Sequence, residues 1–312
     1  MGADTDAQIT DLTVHDHACL TFGEAEELAD LTAAFVRDGL TGGARVVWLS
    51  DTPHEAAAEL GRRGLDSTDV PGRRAADPAA DGAGPITVVG CQEGLTAGRA
   101  FDVGRAVGWL REQVELTRRK GYPALRIALD MGWALRPIAG IEQLPAFEQE
   151  IAAMVGEPAK RTADGRGAGS ETTGALSVLC QYDRDRFDPV TLASVAPFHT
   201  HSVAAATYHD DELLRICRQY APPGIRIAGQ IDVQAQEPLS LALAEAIRVE
   251  GDITVNMADL TFIDVSITRL ILEAARSIPR SRRMVLHCHP AIESRFVILG
   301  AADLPNVDVS RR

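Results

Sequence analysis

His15-Asp16-His17-Ala18-Cys19 places two imidazoles and a thiol at alternate positions. In an extended strand alternate side chains share a face, so His15, His17 and Cys19 would align as nitrogen and sulfur ligands that zinc accepts, with a fourth position open. The rest of the chain does not complete that set. His199, His201 and His209 form a separate group, and no HExxH helix supplies a carboxylate. No metal site is expected, and His17 reads as a pocket lining or a core histidine with its hydrogen bonds met.

The residues offer two further chemistries. Cys180, in the run "ALSVLCQYD", would make a nucleophile–base pair with His17 if the two strands were neighbours. A thiol inside an apolar strand is normally inert, and there is no GxSxG elbow. For nucleotide chemistry, the first strand is followed by "GEAEELAD", which lacks GxxxxGK[ST] and whose carboxylates would repel a triphosphate. Asp130 ends a strand where a Mg²⁺-binding carboxylate would lie, but no phosphate cradle accompanies it. The expectation is no catalytic residue, no cofactor and no enzyme.

The third candidate is a joint. "DLTFIDVSITRLILEA" (259–274) begins as a buried strand and continues as a helix with Ile267, Leu270, Ile271 and Ala274 on one face. Asp264 stands where its carboxylate can cap that helix, and Ser266 falls in the first turn. A phosphate there would be favoured by the helix dipole. The plain alternative is that Asp264 caps and Ser266 simply suits a first turn.

The elements that must position these residues alternate strand and helix. Strands are expected at 18–22, 45–50, 86–90, 124–133 and 175–183, with helices over 24–40, after Thr52-Pro53 with Thr52 as cap, over 96–120, around "GIEQLPAFEQEIAAMV", and from Pro189. Near-continuous apolar strands separated by helices predict a parallel sheet covered on both faces. Two stretches rich in Gly, Ala, Pro and charge, 67–85 and 156–174, read as long loops. A second, smaller α/β unit follows "APPG". It holds a strand "IRIAGQIDV", a helix "QEPLSLALAEAIRVEG", a strand "DITVNMADL", the joint, a strand "RRMVLHCH", a helix "PAIESRFVILG" and a terminal segment.

Composition sets outer bounds. The 312 residues carry a net charge of −13, which opposes direct nucleic-acid binding. The charge is uneven, with 10 Lys and Arg against 11 Asp and Glu from residue 222 onward, so nearly all of the excess lies upstream. No apolar run is long enough to span a membrane, and "MGADTDAQITDLTVHD" has no apolar signal core. Five scattered cysteines without a CxxC pair suit reduced thiols, so a cytoplasmic location is expected.

Residues 222–312 resemble the STAS family of sulfate transporter and anti-sigma-factor antagonist domains, on "IRIAGQIDVQ", "ITVNMADLTFIDVSITRLILEAA" and "RRMVLHCHPAIESRFVILGAADL". The resemblance implies a small sheet packed by helices, and a partner that is an anti-sigma factor, a GHKL-type serine kinase, or another STAS partner. In switchable members the joint reads Asp-Ser with the serine as phospho-acceptor. Here that position is Val265, Ser266 stands one place later, and Ile267 takes a usual glycine position. Residues 11–205 resemble the MEDS (methanogen/methylotroph sensory) family, on "HACLTF" (17–22), "DMGWALR" (130–136) with the "IEQLPAFEQEI" helix, and "LCQYDRDRFDP" (179–189), with Asp130 where Glu is expected. This resemblance implies a RecA-like parallel-sheet domain without a phosphate loop that senses a small molecule.

The resulting expectation is a sensor over 11–205, a linker over 206–221 and a STAS-like domain over 222–312. His17, Cys19, Trp133, Cys180 and Tyr182 are expected to line the ligand pocket near strand ends. Asp264, Val265 and Ser266 are expected to form the docking tip. The rival expectations are a degenerate nucleotide-binding or Cys/His-dependent enzyme in the first domain, and a STAS scaffold that only assembles homo-oligomers.

Overall fold

The computed structural model describes residues 6–65, 84–97, 100–156 and 175–311. The stretches expected as long loops, 67–85 and 156–174, lie outside the described residues apart from their edges. The chain divides into two compact units, Met1–Ala204 and Ala205–Arg312.

In the first unit the strands are β1 (Asp6–Ala7), β2 (His17–Phe22), β3 (Arg45–Ser50), β4 (Ile86–Gly90), β5 (Thr96–Ala97), β6 (Ala100–Phe101), β7 (Ala124–Asp130), β8 (Ala175–Asp183) and β9 (His201–Val203). The helices are α1 (Ala25–Thr41), α2 (Pro53–Arg62), α3 (Cys91–Gly94), α4 (Val103–Arg119), α5 (Leu144–Gly156) and α6 (Pro189–Val195). Among the described residues, seven strands form one sheet in the order β1-β9-β2-β8-β7-β3-β4, every neighbouring pair parallel. β3 is buried throughout, and β7 and β8 are buried but for their final residues, as continuous apolar runs require in a parallel sheet.

Three local expectations change. The helix foreseen over 96–120 starts at Val103, where extended Asp102 accepts a hydrogen bond from Arg105 N at 2.8 Å. Ahead of it, Thr96–Ala97 and Ala100–Phe101 pair antiparallel as β5 and β6. Thr52 makes no side-chain cap bond, and Pro53 opens α2 alone. The strand foreseen to residue 133 stops at Asp130, whose carboxylate accepts Gly132 N and turns the chain into a 3₁₀ segment, Met131–Leu135, that contains Trp133. Pro145 does not break α5, because as its second residue it lies where no intrahelical donor is needed.

The second unit holds β10 (Thr207–Asp210), β11 (Leu214–Tyr220), β12 (Pro223–Ile231), α7 (Gln236–Val249), β13 (Ile253–Met257), β14 (Leu260–Ile263), α8 (Val265–Ser277), β15 (Met284–Cys288), α9 (Pro290–Ile298) and β16 (Val307–Arg311). Its sheet runs β10-β11-β12-β13-β15-β16, with β14 also paired to β12. The pairs β10–β11 and β11–β12 are antiparallel and the others parallel, so this sheet is mixed. The stretch 206–221, expected as a linker, instead carries β10 and β11. Leu214 and Ile216 alternate onto the core face, and the chain turns back at once so that Tyr220 pairs with Pro223.

Gly224 is fixed by this sheet. It has φ +152°, and a Cβ there would lie 1.9 Å from the carbonyl oxygen of Thr254, its partner on β13. Gly224→Ala is expected to destabilise the second unit by about 4 kcal/mol or more, because neither backbone can yield without breaking the ladder. Urea unfolding followed by far-ultraviolet circular dichroism checks this, and a loss below about 1 kcal/mol would refute it. Among the described residues, no helix is long and apolar enough to cross a membrane.

Candidate functional site

Parallel pairing of β2 with β8 sets His17 beside Val178 and Cys19 beside Cys180. Alternation then puts His17, Cys19, Cys180 and Tyr182 on the sheet face that α5 covers. The apolar stripe of α5 is Leu144, Phe147, Ile151, Met154 and Val155, and Glu148 falls inside that stripe. Helical periodicity thus drives a carboxylate into the core, fully buried, against the polar residues of β2 and β8.

The cluster is tight. Glu148 Oε2 lies 3.0 Å from His17 Nε2, 3.4 Å from His199 Nε2 and 3.4 Å from Cys180 Sγ. His17 Nε2 is also 3.3 Å from Cys180 Sγ. The hydroxyl of Tyr182 donates to Glu148 Oε1 in a short hydrogen bond. The far nitrogens of both rings meet backbone carbonyls, His17 Nδ1 with Phe198 O at 2.9 Å and His199 Nδ1 with Val195 O at 3.1 Å. The two imidazole centroids are 4.3 Å apart.

Burial governs the charge states. It pulls the His17 imidazole below its ordinary value, against the opposing pull of Glu148. It pushes the Cys180 thiol and the Tyr182 hydroxyl well up, and the Glu148 charge adds to both shifts. For Glu148 itself, burial would raise the carboxyl, but the contacts from His17 and His199 outweigh it and hold the group below the usual range. Cys180 is therefore a protonated thiol, a poor nucleophile.

The residues expected to share a pocket separate into two groups. His17, Cys180 and Tyr182 converge. Cys19, half-buried, is the register neighbour of Cys180 and packs on the same core. Trp133 belongs to that core too, but its ring faces Phe101 at 4.5 Å and Phe147 at 6.3 Å. The surroundings are a closed polar cluster in an apolar core. His17 opens β2 at the end opposite to the one where a strand-end pocket was expected.

Two members were missed by sequence reasoning. His199 was grouped with His201 and His209, yet His201 instead faces Asp16 at 3.3 Å and His209 faces Asp211 at 2.7 Å. Glu148 had a legible signal, a lone acid inside an apolar helical stripe. Asp130, at a strand end where a cation-binding carboxylate would lie, is a cap and brace: it accepts from Gly132 N at 2.8 Å and Asp51 N at 3.1 Å.

In the second unit the residues expected to form a docking tip, Asp264, Val265 and Ser266, lie at the β14–α8 joint. Asp264 Oδ1 accepts both the Ser266 amide at 2.7 Å and the Ser266 hydroxyl at 2.8 Å. These bonds, the amide first, hold the Asp264 carboxyl below its ordinary value. Val265 is the first residue of α8 and 50% exposed. Beside it Phe262 is exposed, with the Arg295 guanidinium 5.4 Å over its ring, and Arg295 also donates to Ile263 O. The joint therefore exposes Phe262 and Val265, with the Arg295 guanidinium near both the Phe262 ring and the Asp264 carboxylate.

Comparison with known proteins divides the chain in the same order. The model of the MEDS family (MEthanogen/methylotroph, DcmR Sensory domain) matches residues 16–161, and that of the STAS domain matches residues 220–311. The first match ends before β8 and β9, although Cys180, Tyr182 and His199 complete the cluster from beyond it. Among solved structures, a KaiC-like protein from the hyperthermophilic archaeon Pyrococcus horikoshii OT3 is similar at 12% identity and a TM-score of 0.41, over 66% of this chain and 80% of that one. No curated protein matches the chain.

Proposed function

We propose that this chain, a MEDS sensory domain followed by a STAS domain, is a cytoplasmic regulator of the anti-sigma-factor antagonist type. Its STAS joint docks an anti-sigma factor, a GHKL-type serine kinase, without being switched by phosphate. The observation that carries this reading is Val265: it stands where the resemblance places the phospho-acceptor, has no hydroxyl, and is half exposed at the start of α8. Ser266 offers no ready substitute, because its hydroxyl already donates to Asp264. Regulation then falls to the first unit, which senses a small molecule. Such a ligand shifts partner affinity only by the difference in its own affinity for the two states. The burial that keeps Cys180 protonated supports a non-enzymatic role for the first unit.

The test mixes the full chain with the anti-sigma serine kinases of its own genome and ATP, reading intact mass and affinity for wild type and Ser266→Ala. Binding with no added phosphate is the expected result. A phosphate that vanishes in Ser266→Ala would show that the switch moved one place and survived. No binding to any kinase would end the docking proposal.

A further inference from the structure

His17 and His199 share a deficit. A neutral imidazole has one N–H, yet each ring has both nitrogens facing oxygen acceptors, a backbone carbonyl at Nδ1 and Glu148 Oε2 at Nε2. With the proton on Nδ1, where the carbonyls at 2.9 and 3.1 Å hold it, both Nε2 lone pairs point at an ionised carboxylate. His199 Nε2 is buried and makes no hydrogen bond. Doubly protonating both rings would leave a net positive charge in a core where the side chains of His17, His199 and Glu148 are 1%, 2% and 0% exposed, at a large desolvation cost. The two protein donors inside the cluster, the Tyr182 hydroxyl and the Cys180 thiol, both already face Glu148. With both rings neutral, acceptors therefore outnumber donors around an enclosed point.

We infer that His17, Glu148, Cys180 and His199 form a buried four-ligand site for a borderline-soft divalent transition-metal ion. One donor atom from each lies within 4.8 Å of all the others. Two imidazoles, a carboxylate and a thiolate are a donor set that zinc and its neighbours take tetrahedrally, and four protein ligands make a closed site rather than a catalytic one. The outer contacts fit as well. Each histidine fixes its Nδ1–H on a backbone carbonyl, leaving Nε2 for the ion, and Tyr182 holds the free oxygen of Glu148. On binding, the Cys180 S–H bond breaks, a sulfur–metal bond forms and the proton leaves to solvent. No electron is transferred. Of the triplet His15, His17 and Cys19, only His17 takes part. The ion would pin α5 and the turn at 196–199 onto β2 and β8. This inference does not rest on the docking role of the second unit, so failure of the kinase experiment leaves it intact.

The test strips the full chain with a chelator, then titrates it with Zn²⁺ and separately with Co²⁺. The wild type is expected to retain one zinc per chain through gel filtration and to melt at higher temperature with it. The cobalt form is expected to show tetrahedral d–d bands and a thiolate-to-cobalt charge-transfer band. Cys180→Ser should lose the charge-transfer band and keep the d–d bands, whereas Cys19→Ser should keep both. Tyr182→Phe is expected to weaken zinc about 10- to 100-fold by freeing Glu148. Circular dichroism reports whether each variant is folded, and the wild-type titration needs no variant. Retention of no zinc by the wild type would overturn the site. A cobalt spectrum without a thiolate band, or a band lost in Cys19→Ser instead, would overturn the ligand assignment.

Discussion

Glu148→Ala is expected to cost the metal-free first unit about 3–5 kcal/mol, and Glu148→Gln far less, about 1 kcal/mol or under. Alanine removes the acceptor of the Tyr182 hydroxyl and leaves that donor and the Cys180 thiol facing a void in a packed core. Glutamine keeps the shape. Its amide oxygen can accept from Tyr182 while its NH₂ donates to the Nε2 atoms that now face a second acceptor. The comparison isolates the acceptor crowding from the loss of volume. All three tryptophans, Trp48, Trp109 and Trp133, belong to the first unit, so their fluorescence during urea unfolding of chelator-treated protein reads that unit alone. Equal losses for the two variants would refute the crowding account.

Val265→Asp is expected to weaken kinase binding by about 2–4 kcal/mol, roughly 30- to 1,000-fold, while leaving the fold intact. If the joint docks the kinase as proposed, an exposed valine in its contact face becomes an unpaired charge that must shed water on association. Folding should not suffer, since an acidic side chain at the first position of α8 suits the helix dipole. Val249→Asp, at the far end of α7 and 48% exposed, is the control and should bind as wild type does. Calorimetric titration of the folded variants decides between them. Undiminished binding by Val265→Asp would place the docking face elsewhere.

The two kinds of site were unequally legible. The joint at Asp264 depends on neighbours in the chain: a strand that ends, a carboxylate that caps, a helix whose apolar stripe starts at Ile267. Such contacts span four residues or fewer, so spacing and side-chain type settle them. The boundary of the second unit was less clear. Its first two strands lie in 206–221, the stretch expected as a linker, and the chain turns between them and the next strand at "APPG".

The residue pattern by itself determined two α/β units, a parallel sheet in the first and the capped joint in the second. Only the tertiary structure decided that His17, Glu148, Cys180 and His199 meet. They lie 131, 32 and 19 residues apart in the chain. Their meeting depends on strand order, because β8 and β9 flank β2, and on which face of that sheet α5 covers. Local periodicity fixes which side of an element is buried. It carries no information about which buried sides will face each other, and that pairing is where the polar cluster arises.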